Sequence, residues 1–235
     1  MQTSLPLIII GGFGSSWPQY RGLADQLARL SGRPVRIAPI NLIDWLGVLP
    51  TDSYGTLLRI VSRAVDAARR DLGAKQVDLV AHSAGGVVSR IYLGDQAYGP
   101  RKQAYHGYRF VRSLITLGTP HKTTQRGRPG GLNQIAFAEQ QYPGAYWNFI
   151  RYVSVMGRGI QGVEQGPPPE RGAYQSYKLI LGDGAGWGDG VVPLASGLLD
   201  GSEQIVLDGL RHDPRPDRPW YGQDEATIMR WWGQI

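Results

Sequence analysis

The chain has 235 residues, no cysteine and a net charge of +6. Its length fits one domain with a proper core and is too short for two comfortable ones. The missing cysteine excludes disulfides, thiolate metal sites and cysteine nucleophiles. Apolar Leu5–Ile10 predicts a first strand. The N-terminus has no basic region and its apolar run is only strand-length. It therefore reads as neither a leader nor a membrane span, and a cytoplasmic protein is expected.

The loop Gly11-Gly12-Phe13-Gly14-Ser15-Ser16-Trp17 follows. It is not a nucleotide loop, because Trp17 stands where the last glycine of a dinucleotide fingerprint belongs. It also lacks the Gly-Lys-Ser/Thr of a phosphate loop. Leu23, Leu27 and Leu30 fall at helical spacing before Gly32. Pro34–Ile40 predicts the second strand. Leu57, Val61, Ala64, Val65, Ala68 and Leu72 form one helical face, and Gly73 ends that helix.

Gln76–Ala81 is the third expected strand. It runs into Ala81-His82-Ser83-Ala84-Gly85-Gly86 and then the apolar helix Val87–Leu93. Strand, sharp turn and helix in that order hold a serine out at the end of a sheet. Small neighbours let strand and helix approach, and the helix start aims free amides at whatever reacts there. Ser83 is the candidate nucleophile. The bland alternative is a serine that merely caps a helix.

Phe110–Leu117 predicts the fourth strand, and Tyr177–Leu181 and Gln204–Leu207 the fifth and sixth. Asp224 starts a last helix carrying Ile228, Met229, Trp231 and Trp232. Strands alternating with helices imply a doubly wound, mainly parallel α/β sheet of about six strands in a single domain, 1–235. Lys122–Gln175 breaks this pattern, being rich in Gly, Pro and aromatics, with an extended tip at Gly166–Pro169. A long connection of this kind predicts a cap over the sheet's C-terminal edge. Tyr146, Trp147 and Phe149 of that cap, with Trp17 of the first loop, are expected to contact substrate.

A serine needs a base and an orienting acid. Of four histidines, His212 alone completes the order Ser…Asp…His just past a strand end. His82 should point away from Ser83, His106 lies in a polar loop, and His121 is the reserve. Asp189, in Gly188-Asp189-Gly190, is preferred as the acid over Asp183. The backbone N–H groups of Phe13 and Ala84 are the expected oxyanion donors. No oxygen-ligand cluster stands out, so neither metal nor cofactor is expected. The basic clusters (Arg109 with Arg112, Lys122 with Arg126 and Arg128, Arg211 with Arg215 and Arg218) read as solvated surface. Weak contact with anionic lipid is the sharper alternative. No nucleic-acid motif accompanies the charge, so nucleic acid is not an expected partner.

With these motifs in order, the chain resembles a small bacterial lipase or esterase of the α/β-hydrolase family. The likeness runs over most of its length outside Lys122–Gln175. Gly11-Gly12-Phe13-Gly14 resembles the family's oxyanion loop with Gly11 in place of histidine, and Ala81–Gly86 a variant elbow. Leu117-Gly118-Thr119-Pro120-His121 resembles a motif after the next strand, and Gly188–Pro193 the acid loop. The resemblance implies hydrolysis of carboxylic esters, with Ser83 as nucleophile, His212 as base, Asp189 as acid, and Phe13 and Ala84 forming the oxyanion hole. Phospholipases, galactolipases, thioesterases, acyltransferases and a silent binding scaffold share the same framework.

Overall fold

The computed structural model describes residues 5–125, 132–215 and 218–233. In chain order the elements are β1 (Leu7–Ile10), α1 (Arg21–Ser31), β2 (Val35–Ile37), α2 (Leu42–Leu46), α3 (Val48–Thr51) and α4 (Gly55–Leu72). Then come β3 (Val77–His82), α5 (Ala84–Leu93), β4 (Val111–Leu117), α6 (Leu132–Gln141) and β5 (Arg151–Arg158). The last are β6 (Ile160–Gly162), α7 (Pro168–Leu181), β7 (Gly186–Gly188), α8 (Leu194–Gly197), β8 (Glu203–Asp208) and α9 (Glu225–Trp232). Six strands form one sheet in the order β2-β1-β3-β4-β5-β8, and every neighbouring pair is parallel. The expected doubly wound α/β architecture is therefore present.

Side-chain alternation divides the core into two layers. Ile8, Ile10, Val77, Leu79 and Ala81 face α4 and α5. Leu7, Ile9, Val80, Ile115 and Val153 face α1 and α9. Burial on both faces explains why β1 reads as a continuous apolar run and why β3 does so apart from the ion-paired Asp78. Among the described residues no helix is long and apolar enough to cross a membrane.

Three expectations need correction. Tyr177–Leu181 is the end of α7, not a strand. Ala173, Tyr177 and Ile180 are its buried residues, and four-then-three spacing puts them on one helical face. Pro167 caps that helix and Pro168 opens it, so Gly166–Pro169 is a helix start instead of an extended tip. The sheet's fifth strand in chain order is β5, inside the 122–175 stretch expected to form a cap. That stretch therefore contributes to the sheet itself.

The basic clusters are largely paired. Lys122 meets Asp200 at 2.7 Å, Arg112 holds buried Asp78, and Arg215 and Arg218 lie 3.8 and 3.9 Å from Asp213. Arg126 and Arg128 lie outside the described residues.

Candidate active site

Ser83 is the single residue between β3 and α5. Its backbone sits at φ 53°, ψ −131°, a region that costs a non-glycine residue about 1–3 kcal/mol unless its surroundings over-determine it. They do so here. The Ser83 amide donates to the Leu117 carbonyl at 2.9 Å. Its own carbonyl accepts from the Gly86 amide at 3.0 Å and the Thr119 hydroxyl at 2.8 Å. Gly85 is required by space, since a Cβ there would stand 2.6 Å from the carbonyl oxygens of Ile10 and Gly11. Ala81 is accommodated because it lies within β3, in register with Ile10 and Thr116.

Ser83 Oγ lies 2.8 Å from His212 Nε2, and His212 Nδ1 lies 2.7 Å from Asp189 Oδ2. An ionised carboxylate only accepts, so Nδ1 carries the proton and Nε2 is left to accept from the serine hydroxyl. The antiparallel β6–β7 ribbon ends at Gly188 and delivers Asp189 into the interior, where it is 1 % exposed. Its Oδ1 accepts from the amides of Val191 (3.0 Å) and Val192 (2.8 Å). Its Oδ2 also accepts from the Tyr221 hydroxyl at 2.8 Å. Gly118 makes this fit. At φ 58° it is left-handed, and a Cβ there would meet Asp189 Oδ2 at 2.6 Å.

Burial alone pushes the Asp189 carboxyl up. The facing His212 and the hydrogen bonds together outweigh it and hold the group below its ordinary range. Burial alone would push His212 down. The Asp189 charge and bond together prevail, and the imidazole lies above its ordinary value. The two opposite shifts describe one coupled pair.

The loop after β1 packs directly on the serine. A Cβ on Gly12 would stand 2.7 Å from Ser83 Cβ. The loop turns tightly there, with the Gly12 carbonyl accepting from the Ser15 amide at 3.2 Å and its hydroxyl at 2.6 Å. Phe13 is at the crest of this turn, exposed, with its ring edge-on to Trp45 at 5.7 Å. Ala84 opens α5, so its amide has no acceptor within the helix. Ala84 thus adjoins Ser83 in the chain, and Phe13 follows the glycine that packs on it. Trp17 lies on the same loop, half-buried beneath the Arg21 guanidinium.

The other expected contacts lie elsewhere. Tyr146, Trp147 and Phe149 precede β5, at the edge where parallel strands begin. Ser83 follows β3, at the edge where they end, so about 20 Å of strand separates the two sets. Trp147 stacks on Tyr108 at 4.2 Å instead, beside the start of β4. His106 belongs to that same edge. Asp183 is exposed and accepts from the Ala185 amide. His121 is fully buried against Thr116, and burial pulls its pKa well below the usual histidine value.

Sequence reasoning missed Tyr221, a lone tyrosine in a loop with no periodic signal. A cavity of about 480 Å³ opens beside His212 and Asp189, with Pro168, Ala173, Val191, Arg211 and Arg218 in its wall.

The fold has relatives of known structure. The product of the gene lin2722 from Listeria innocua is 15% identical, with a TM-score of 0.56 over 97% of this chain and 92% of that one. Phospholipase PlaB from Legionella pneumophila is 15% identical, with a TM-score of 0.56 over 92% of this chain and 54% of its own. Est1E from Butyrivibrio proteoclasticus, solved with ferulic acid bound, is 12% identical, with a TM-score of 0.53 over 100% and 89%. At these identities the likeness is one of fold. No curated protein matches the sequence. Residues 6–145, more than half of the chain, match the family model described as alpha/beta hydrolase fold, and the chain belongs to that family.

Proposed function

We propose that this protein is a serine hydrolase of carboxylic esters. The observation that carries the reading is the hydrogen-bonded line from Ser83 through His212 to Asp189, at 2.8 and 2.7 Å, on a strained strand–helix turn. His212 takes the Ser83 proton as Oγ attacks the ester carbonyl. The oxyanion rests on the Phe13 and Ala84 amides. His212 then returns the proton to the leaving alcohol, and water releases the acyl group by the same steps. Each amide donor is worth about 3–4 kcal/mol of barrier.

Apolar acyl chains are the favoured substrates. Leu42, Ile43, Leu46 and Leu49 of α2 and α3 are exposed, and Trp45 of the same segment touches Phe13. Part of the expected cap role falls to the start of α7, which walls the cavity beside His212. A phospholipid is the second reading, because Arg211 and Arg218 line that cavity, with Asp213 between them in the wall 3.9 Å from Arg218.

A p-nitrophenyl ester series from acetate to palmitate, with a phospholipid alongside, tests the proposal. Turnover that rises with chain length is expected. A series with no turnover of any ester sinks it.

The pH profile is a second test. The base must be neutral to accept a proton, so activity is lost as pH falls through the His212 pKa. Asp189 holds that pKa above the ordinary 6.5. The acid limb of kcat/KM is therefore expected above pH 6.5. A midpoint below it would mean that burial outweighs the Asp189 charge at His212.

A further inference from the structure

Behind the Ser83–His212–Asp189 line lies a second hydrogen-bonded chain that the reaction steps above do not use. His82 Nε2 is 3.0 Å from the backbone carbonyl of His212. A carbonyl cannot donate, so Nε2 carries the proton. Burial pushes the His82 pKa down to about 3, the ring is neutral, and Nδ1 is an acceptor. Nδ1 lies 2.8 Å from the Tyr20 hydroxyl, which therefore donates its single proton there. The same hydroxyl oxygen accepts from the Gly12 amide at 2.9 Å, and Ser15 Oγ, a longer alternative acceptor at 3.4 Å, leaves the short contact to the otherwise unsatisfied Nδ1 as the one that takes the proton. Direction is thus fixed at every link, from the Gly12 N–H through Tyr20 and His82 to the His212 carbonyl.

Both ends of this chain touch the chemistry. Gly12 immediately precedes Phe13, and its Cα packs on Ser83. His212 carries the base on the residue whose carbonyl is held. All four residues are buried, and Trp220 packs against both the His82 and Tyr20 rings, at 6.0 and 6.3 Å. The polar groups of such a chain have no water to turn to, so losing one link strands its neighbours.

We propose that Tyr20 and His82 are positioning residues that lock the loop of the base to the loop of the oxyanion donor. The proposal rests on the ester-hydrolase reading. Its consequence is that the donor at Phe13 and the base at His212 keep their mutual placement without touching each other.

Tyr20→Phe deletes one hydroxyl and keeps the ring packing. In the folded variant, kcat for p-nitrophenyl butyrate is expected to fall roughly tenfold or more, with KM little changed. The loss stays below the about 10²–10³ that removal of an oxyanion donor costs. His82→Gln, whose side-chain amide can still donate to the His212 carbonyl, should retain more activity than His82→Leu. The double variant Tyr20→Phe/His82→Leu should be little worse than His82→Leu alone, since both changes break one chain. A merely structural role would lower the thermal midpoint and leave kcat of the folded protein alone. Unchanged kcat in folded Tyr20→Phe, or losses that multiply in the double variant, overturns the proposal.

Histidine-ring nitrogen NMR on the wild-type protein decides the matter even where a variant fails to fold. The proton must sit on Nε2 of His82, and a proton on Nδ1 overturns the chain. Ser83→Ala separates the two claims. Ester turnover that survives in Ser83→Ala removes the hydrolase reading, whereas serine-dependent turnover with normal kcat in Tyr20→Phe removes only the positioning role.

Discussion

Ser83→Ala is expected to cut ester hydrolysis about 10⁶-fold while the protein stays folded, the size of loss seen when such a nucleophile is removed. Among the described residues, the two polar side chains nearest Ser83 are committed elsewhere. His82 turns its ring nitrogens to the His212 carbonyl and to Tyr20, and the Thr119 hydroxyl is committed to the Ser83 carbonyl. The same position makes a separate prediction about stability. Alanine at φ 53° is as strained as serine, but glycine is not. Ser83→Gly and Ser83→Ala both lack the hydroxyl and should be equally inactive. Glycine recovers about 1–3 kcal/mol of strain and loses about 0.5–1 kcal/mol through its freer unfolded chain. Its thermal midpoint should therefore exceed that of Ser83→Ala by a few degrees. Calorimetry of the two variants reads this directly. Equal midpoints would mean that the strain is no larger than about 0.5–1 kcal/mol, the amount that glycine's freer unfolded chain cancels, and activity retained by Ser83→Ala would end the assignment of Ser83.

The elbow was legible because its chemistry is local. A strand, a serine between small residues and a helix can be arranged in few ways, and Gly85 stands where two carbonyls leave no room for a side chain. Asp189 and His212 were legible from their order and from their place after expected strands, even though one of those strands proved to be a helix. Tyr177–Leu181 is a short run, apolar except for Lys178, and such runs do not distinguish strand from buried helix. The spacing Ala173, Tyr177, Ile180 held the answer.

β5 was hidden for the opposite reason. Ser154 and Gly157 interrupt its apolar pattern, yet both are at home in the sheet. Ser154 pairs with the Ser202 hydroxyl at 2.7 Å, and Gly157 leaves space for the Leu210 carbonyl, which a Cβ would meet at 2.5 Å. Missing β5 carried a cost for the site. Tyr146, Trp147 and Phe149 look like a substrate wall until the strand after them fixes the edge they occupy. Tyr20, His82 and Tyr221 could not have been ranked from sequence, because their importance lies in hydrogen bonds across 62, 130 and 32 residues of chain.

Asp189→Asn should lower kcat about 10⁴-fold with folding intact, as loss of the orienting carboxylate does in serine hydrolases generally. The reason can be read from the donors around it. Oδ1 accepts from two backbone amides, Val191 and Val192, which cannot turn away. An asparagine must place its oxygen there, so its NH₂ takes the position of Oδ2 and points at His212 Nδ1. That nitrogen must then accept, which moves the ring proton to Nε2. A protonated Nε2 donates to Ser83 Oγ and cannot take its proton. The loss comes from the wrong tautomer in an undisturbed site. The pH profile of the residual activity provides a second readout. Without the aspartate charge, burial is opposed mainly by the charge of Asp213, and the His212 pKa falls from its wild-type value. The acid limb should then shift below its wild-type position, while the thermal midpoint reports separately on folding. Asp183→Asn, on an exposed loop that points only at the Ala185 amide, should leave both rate and profile unchanged. Asp189→Asn within tenfold of wild type would remove Asp189 from the mechanism, and a loss in Asp183→Asn would put the acid in the other loop.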